Sequence, residues 1–260
     1  QQTQDALEYF LNYCATHPEA EIIYRASDMI LTVDSDAAYQ VAPKSRSRAS
    51  GYHYLGNMDG LLFNGAIYIL AKVIKAVMQS AAEAECGALY MNAKEVIPMR
   101  TALEELNHPQ PATPMRTDNS TADGIMNKTV KQKASKSMDM RFYWVQDRVE
   151  QNQLKVFWAP GVINLADYQS KVQPTSVHRA LRPIYLYEKG KSPATLQGCD
   201  KILKSLASGT KPITPGLSQL PRYRYPVTVT PLLARAFNIT AQQADTHINH
   251  QLARITNQVI

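Results

Sequence analysis

Three runs of aromatic and β-branched residues follow one another in the first third of the chain, and they constrain the fold more than any other feature. They are MILTV (29–33), SGYHYLG (50–56) and FNGAIYILAKVI (63–74), separated by turn-forming or basic stretches. Runs of this composition, bounded in this way, are typical of β-strands. We therefore expect three consecutive strands, paired antiparallel within one sheet.

A long helix and a further strand are predicted next along the chain. Residues 80–106 have a helical composition and open with Ser80 in capping-box spacing to a Glu. Pro98 is expected to kink this helix or to split it in two. The segment MRTDNSTA that follows is predicted to be a short strand ending in an acid.

The remaining regular pattern completes an alternating order of strands and helices. Apolar spacing predicts a helix over residues 138–151, alternation predicts a strand over residues 154–161, and a last helix starts near residues 164–167. An amphipathic helix over residues 3–16 precedes the first strand. The order after that helix is therefore β-β-β-α-β-α-β-α.

The regular pattern is lost after Lys171, and this loss sets the expected domain boundaries. The rest of the chain is rich in Pro, Gly, Ser and Thr and resembles a linker in composition, until the last 20 residues again show helical spacing. We expect an N-terminal connecting helix (1–25), a folded domain (26–175) and a C-terminal extension (176–260) that is mostly linker-like with a terminal helix.

Composition narrows the class of protein only moderately. The net charge is +6 with a pI near 9.1, which favours a polyanionic partner. Cys14, Cys86 and Cys199 are too few and too widely spaced for a disulfide framework or a zinc site, which favours a reducing compartment.

The chain has no uninterrupted apolar segment of the length of a membrane span. The most apolar run, residues 61–78, is interrupted by two lysines, and it is therefore shorter than the roughly 20 apolar residues that a membrane span needs. Because the first residue is Gln, we expect a piece of a longer polypeptide.

Four acidic residues stand at the ends or edges of the predicted elements. Asp34 follows the first strand, Glu85 lies in the first turns of the long helix, Asp118 follows the fourth strand, and Asp167 starts the last helix. Carboxylates gathered from four elements repel one another unless cations neutralise them. This pattern favours a two-metal phosphodiester site, in which ions about 4 Å apart activate water and stabilise the leaving oxygen.

Two of these acids also have a purely structural alternative when they are considered alone. Asp34 and the neighbouring Ser suit a turn at a strand end. Asn164 and Asp167 have the spacing of a helix cap.

With these acids in this order, the sequence resembles a known family. It is similar to type 1 ribonuclease H domains, in the form carried at the end of copia-type retrotransposon polyproteins. Six segments carry the resemblance in the family's order and spacing and cover about residues 1–175. They are DSDAAY (34–39), RSRASGYHYLG (46–56), KVIKAVMQSAAEAECGAL (72–89), DNSTADGI (118–125), KSMDMRFYWVQDRV (136–149) and NLADYQSK (164–171).

The resemblance implies a fold and an activity. The fold is expected to be α/β and ribonuclease H-like: a mixed five-stranded sheet, its first three strands antiparallel, flanked by helices. The implied activity is metal-dependent endonucleolytic hydrolysis of the RNA strand of RNA–DNA hybrids, with two Mg²⁺ ions or with Mn²⁺. The implied partners are the hybrid and the reverse transcriptase domain of the same polyprotein, with no membrane, in a cytoplasmic retroelement particle or in the nucleus.

The resemblance also implies catalytic and metal-binding residues. Asp34, Glu85, Asp118 and Asp167 inherit these roles, each from its own motif. Asp36 is the alternative to Asp34, since it lies two positions further along the same segment.

Substrate-binding residues are expected around the acids, and each has a plainer alternative. Ser80 is placed near a substrate phosphate or serves as an N-cap. Asn119 reads a backbone or a 2′-hydroxyl group, or is a turn residue. Phosphate contacts are expected from a lysine-rich connector, which is otherwise a solvated surface, through Lys128, Lys131, Lys133 and Lys136.

Departures from the family pattern keep other functions open. The loop before the last Asp, APGVINLAD, lacks the His that many relatives have, and Cys86 stands where an aromatic residue is typical. The alternative is therefore a catalytically decayed ribonuclease H-like module that binds nucleic acid or acts as a tether. A related polynucleotide transferase, such as an integrase, would also bind metal ions through clustered carboxylates, but its motif spacing matches this sequence poorly.

Overall fold

The structure is a computed structural model that describes residues 2–58, 64–130, 139–161 and 164–188. Predictions for the far C-terminal extension, including its terminal helix, lie outside the described residues. So do three of the connector lysines and the third cysteine, namely Lys131, Lys133, Lys136 and Cys199.

The described elements follow the predicted order, with three additions. The additions are a short strand pair, a seven-residue helix over residues 120–126 and a helix beyond the expected boundary. In chain order the elements are α1 (Gln2–Thr16), β1 (Ala20–Glu21), β2 (Ile30–Ala42), β3 (Arg46–Gly56), β4 (Ala66–Val73), α2 (Ala81–Glu105), β5 (Thr113–Thr117), α3 (Ser120–Met126), α4 (Asp139–Glu150), β6 (Leu154–Trp158), α5 (Asp167–Ser170), α6 (Thr175–Tyr185) and β7 (Tyr187–Glu188).

The main sheet has five strands in the order β4-β3-β2-β5-β6. β2, β3 and β4 pair antiparallel, while β5 runs parallel to both β2 and β6. This topology confirms the mixed five-stranded sheet and its three antiparallel strands. A separate two-stranded sheet joins β1 to β7; with two residues in each strand, it leaves no periodic signal in the sequence.

Strand β2 is longer than predicted, and this changes where its acids lie. It extends from Ile30 to Ala42 because β3 pairs with it without a break as far as Ala38. Asp34 and Asp36 therefore lie inside the strand rather than after it. Because side chains alternate along a strand, both carboxylates project from the same face.

The opposite face of β2 belongs to the larger hydrophobic core. Leu31 and Val33 of the strand are fully buried in a cluster with Leu89 and Val96 of α2 and Phe142 of α4. Helix α2 continues through residue 98, so the proline does not split it as the sequence analysis allowed. This core fixes the long helix against the sheet.

A buried polar network joins α2 to the same sheet. The Asn92 amide donates to Ser35 Oγ at 3.0 Å and lies 2.9 Å from His53 Nε2. A Cβ atom at Gly51 would lie 1.8 Å from Asn92 Oδ1, so a glycine is required for this close approach. The network sets the position of α2 along β2.

Helix α6 covers the second face of the sheet and extends the regular structure beyond residue 175. Leu181 and Ile184 are buried with Tyr52 and Tyr54 of β3, and with Leu165 before α5. A mostly linker-like extension was expected from residue 176 onward, and within the described residues the chain is helical as far as Tyr185, the end of α6. Its apolar residues have helical spacing, but prolines at and within the helix obscure the pattern in the sequence.

Candidate active site

Three carboxylates from three different elements meet where β2 and β5 diverge. They belong to Asp36 in β2, Glu85 in α2 and Asp118 just after β5. One carboxylate oxygen from each lies within 4.8 Å of the other two. Asp36 and Glu85 are each only 5% exposed, and Asp118 is partly exposed, so the cluster opens to solvent on the side of Asp118.

The divergence of the strands lets Glu85 reach this cluster from the face covered by α2. β5 pairs with β2 only at Val33 and Asp34, so the backbone beyond is open on that side. The Ala37 amide donates to Glu85 Oε1 at 3.0 Å, and Thr117 Oγ1 lies 3.4 Å from Glu85 Oε2. Both bonds hold the carboxylate against the sheet.

Helix α2 starts with the cap that the sequence predicts. Ser80 is its N-cap and accepts a hydrogen bond from the Glu83 amide at 3.1 Å. The Glu83 carboxylate accepts from the Gln79 amide at 2.6 Å. A firmly capped first turn keeps Glu85, one turn further on, in a defined position.

Asp118 is held by the strand end and by the loop that follows β6. Trp158 Nε1 donates to the Asp118 carbonyl oxygen at 2.9 Å. A Cβ atom added at Gly161 would lie 2.5 Å from Asp118 Oδ2. Gly161 therefore leaves the space that the carboxylate occupies.

Burial and mutual repulsion dominate the electrostatics of the cluster, and Lys171 at its margin offsets them only in part. Burial, together with the charges of Asp36 and Asp118, raises the pKa of Glu85 to about 9. Burial also raises the pKa of Asp36 to about 6, with contributions from Asp167 and Asp118. The pKa of Asp118 is raised by burial and by Asp167. A cation bound among these carboxylates would reverse these shifts.

Asp34, which the resemblance placed in the metal site, lies outside this cluster. Its carboxylate is fully buried and forms an ion pair with Arg116 Nε at 3.0 Å. Its other oxygen accepts a hydrogen bond from the Leu165 amide at 3.0 Å. Burial raises the pKa of Asp34, while Arg116 and the Leu165 amide oppose that rise. The structure thus brings Asp36, the alternative, to the cluster in its place.

Asp167 stands at the margin of the cluster. It opens helix α5, and its charge raises the pKa of both Asp36 and Asp118. Lys171 Nζ lies 2.5 Å from Asp167 Oδ1. The capping role suggested by Asn164 is not formed, since the Asn164 side chain accepts from the Ala166 amide instead.

The predicted substrate-binding residues within the described chain all have structural partners. Ser80 caps α2, as described above. Asn119 is the N-cap of α3 and accepts from the Ala122 amide at 3.0 Å. Lys128 forms an ion pair with Glu150 on α4.

Four residues that shape the site were not predicted from the sequence. Thr117 and Gly161 adjoin carboxylates of the cluster, Lys171 contacts Asp167 at its margin, and Arg116 contacts the buried Asp34. The only signal in the sequence is for Thr117 and Lys171, which lie next to or one turn from a predicted acid.

The donor set of the cluster fits a hard divalent cation. It consists only of carboxylate oxygens, and oxygen ligands are what Mg²⁺ and Mn²⁺ prefer. The raised pKa of Glu85 also favours a cation at this position, because the ionised carboxylate needs a nearby positive charge. Asp36, Glu85 and Asp118 are thus the residues that could hold such an ion.

The sheet topology, with an acidic cluster where the central strands diverge, is that of a ribonuclease H-like fold. A part of a retrotransposon polyprotein is similar in sequence. The chain is 29% identical over 170 residues to the retrovirus-related Pol polyprotein from transposon TNT 1-94 of Nicotiana tabacum. The match covers 65% of this chain and 12% of that polyprotein. No protein-family profile matches the chain.

Solved structures with low sequence identity are also similar. The N-terminal ribonuclease H domain of rv2228c from Mycobacterium tuberculosis is 12% identical, with a TM-score of 0.42 over 55% of this chain and 91% of that one. LC11-RNase H1 in complex with an RNA/DNA hybrid is 14% identical, with a TM-score of 0.40 over 53% of this chain and 91% of that one. At these scores the fold assignment depends on the strand topology itself.

No helix within the described ranges is both long and apolar enough to cross a lipid bilayer.

Proposed function

We propose that this chain is the ribonuclease H domain of a retroelement polyprotein and that it hydrolyses the RNA strand of RNA–DNA hybrids. The observation that carries the proposal is the convergence of Asp36, Glu85 and Asp118 within 4.8 Å at one edge of the central strands. Carboxylates at this separation repel one another unless cations neutralise them, and divalent ions bound in such a cluster can support phosphodiester hydrolysis.

Each acid has a role in this proposal. Asp36, Glu85 and Asp118 would hold the ions, and Asp167 would complete the set from the margin. Mg²⁺ or Mn²⁺, when bound, would activate the attacking water and stabilise the departing 3′-oxygen. Glu85 is protonated near neutral pH without ions, so it loses its proton as it becomes a ligand.

The buried ion pair of Asp34 and Arg116 would keep the ligands in place without touching the substrate. Asp34 joins Arg116 of β5 to the Leu165 amide before α5, and thereby connects the strand that leads to Asp118 with the segment that leads to Asp167. In the proposal, Asp34 is a positioning residue rather than a ligand.

The polyprotein context of the proposal rests on sequence similarity. The match to a retrotransposon Pol polyprotein covers 65% of the chain. We infer that the partners are an RNA–DNA hybrid and a reverse transcriptase domain of the same polyprotein, of the copia type. The basic net charge supports a nucleic-acid substrate.

A cleavage assay with two duplexes tests the function. An RNA–DNA hybrid with labelled RNA is incubated with the chain in Mg²⁺ or Mn²⁺, and duplex DNA of the same sequence, which lacks 2′-hydroxyl groups, is the control. Only the RNA–DNA hybrid should be cut, and the duplex DNA should remain intact. Asp118→Asn keeps the size of the side chain but removes its charge, so cleavage should fall by orders of magnitude while hybrid binding stays nearly unchanged.

The connector lysines provide the converse variant. Replacing Lys131 and Lys133 with Ala should weaken hybrid binding and flatten its dependence on salt, because fewer counterions are released. Cleavage at saturating hybrid should survive. If the unmodified chain cuts neither duplex in either metal but still binds the hybrid, a binding or tether module replaces the nuclease.

A further inference from the structure

Lys171 places a positive charge directly on the margin of the acidic cluster. It follows helix α5, four residues after Asp167, and its Nζ lies 2.5 Å from Asp167 Oδ1. Gln173 Nε2 lies 3.3 Å from the other oxygen of the same carboxylate. Asp167 thus has both of its oxygens engaged by side chains that follow it in the chain.

The influence of Lys171 extends beyond this one ion pair. The carboxylates of Asp167, Asp36 and Asp118 all raise the pKa of the Lys171 ammonium group, and Lys171 in turn lowers the pKa of Asp36 and Asp118. The ammonium group therefore lies within electrostatic reach of three of the four acids proposed to bind ions.

The side chain of Lys171 is half-exposed, and a lysine has a flexible four-carbon stem that ends in a compact charge. The ammonium group can therefore turn toward another partner that lies close by. Two cations held by one carboxylate repel each other, so an ion that approaches Asp167 meets the ammonium group already there.

We propose that Lys171 is a tethered counter-cation that competes with a divalent ion for Asp167 until a substrate phosphate draws it away. The inference rests on the proposed nuclease function and adds a positioning residue to it. Without nucleic acid, Lys171 neutralises part of the cluster and weakens binding of the ion that needs Asp167. A phosphate group next to the cluster offers the ammonium group another partner and frees Asp167 for that ion.

The test measures divalent-ion binding without nucleic acid. Calorimetric titration of the whole chain with Mg²⁺, and separately with Mn²⁺, compares the unmodified protein with Lys171→Met and Lys171→Arg. Lys171→Met should bind the weaker ion about fivefold more tightly, the size expected for losing one partly exposed charge interaction. Lys171→Arg keeps the charge and should bind ions like the unmodified chain.

A second surface ion pair provides a matched control. Lys72 pairs with Glu95 at 3.7 Å, and the side-chain exposures of that pair, 57% and 36%, are close to the 50% and 31% of Lys171 and Asp167. Lys72→Met removes an equivalent charge from a pair outside the cluster, so it should leave ion binding unchanged.

Each outcome of the titrations has a clear reading. Equal affinity in the unmodified chain and Lys171→Met, with cleavage intact, overturns the role of Lys171 and leaves the nuclease standing. Weaker ion binding in Lys171→Met also overturns it, because the lysine then holds Asp167 ready for the ion. If no ion binds to any variant at millimolar concentration, and no duplex is cut, the proposed function and this inference both fail.

Discussion

Asp34 and Asp36 lie two residues apart on the same face of β2, yet replacing each with Asn should have opposite effects. Asp34 is fully buried, and its partner Arg116 is only 7% exposed. Removing one member of a buried ion pair costs about 3–5 kcal/mol, because the remaining charge stays buried. Arg116 also bonds Tyr54, so we expect Asp34→Asn to lower the free energy of unfolding by about 3 kcal/mol, at the lower end of that range.

Asp36→Asn should not destabilise the ion-free protein. The pKa of Asp36 is raised to about 6 from its ordinary value of 3.8, so its ionised form opposes folding at pH 7. That shift corresponds to an upper limit of about 3 kcal/mol, which the neutral Asn side chain would recover in part. Ion binding and hybrid cleavage should fall severely in this variant, because it lacks a ligand.

Urea unfolding followed by circular dichroism at pH 7 in EDTA measures both stabilities, and calorimetry with Mn²⁺ measures ion binding. Asp34→Asn, at a temperature where it is folded, should still bind ions. The assignment of Asp36 would be refuted if Asp34→Asn kept its stability and lost ion binding while Asp36→Asn bound ions normally.

Three further predictions concern other parts of the molecule. Gly161→Ala should displace the Asp118 carboxylate, because the added Cβ would lie 2.5 Å from Asp118 Oδ2. Hybrid cleavage should therefore fall about 100-fold, while the free energy of unfolding in urea stays unchanged. Binding of a divalent ion at pH 7 should release about one proton, that of Glu85, whose pKa is about 9; calorimetry in two buffers of different ionisation enthalpy measures it, and no release would contradict that pKa. Burial lowers the pKa of His53 to about 4 from 6.5, so the unfolded chain binds the extra proton and stability is lost as pH falls through that window. Between pH 7 and pH 5 the unmodified chain should lose about 2 kcal/mol more than His53→Gln in urea unfolding, and equal losses would contradict this.

Local patterns in the sequence determined most of the architecture. The three apolar runs and the spacing within residues 80–106 predict the antiparallel strands and the long helix, because strand and helix periodicities are properties of neighbouring residues. The same patterns predict that Glu85 lies in the first turns of the helix and that Asp118 follows a strand. Two of the three clustered carboxylates were therefore identified without a structure.

Long-range contacts decided the rest. Asp34 and Asp36 share one strand and one face, so no local pattern separates them; Arg116, which lies far away in the sequence, pairs with Asp34 and leaves Asp36 for the cluster. The place of helix α6 likewise depends on the tyrosines of β3 that it covers, a surface that exists only after the sheet has formed. A sequence records which residues can be buried or charged, whereas only the tertiary structure brings distant partners together and so decides which carboxylate is neutralised and which remains available for a cation.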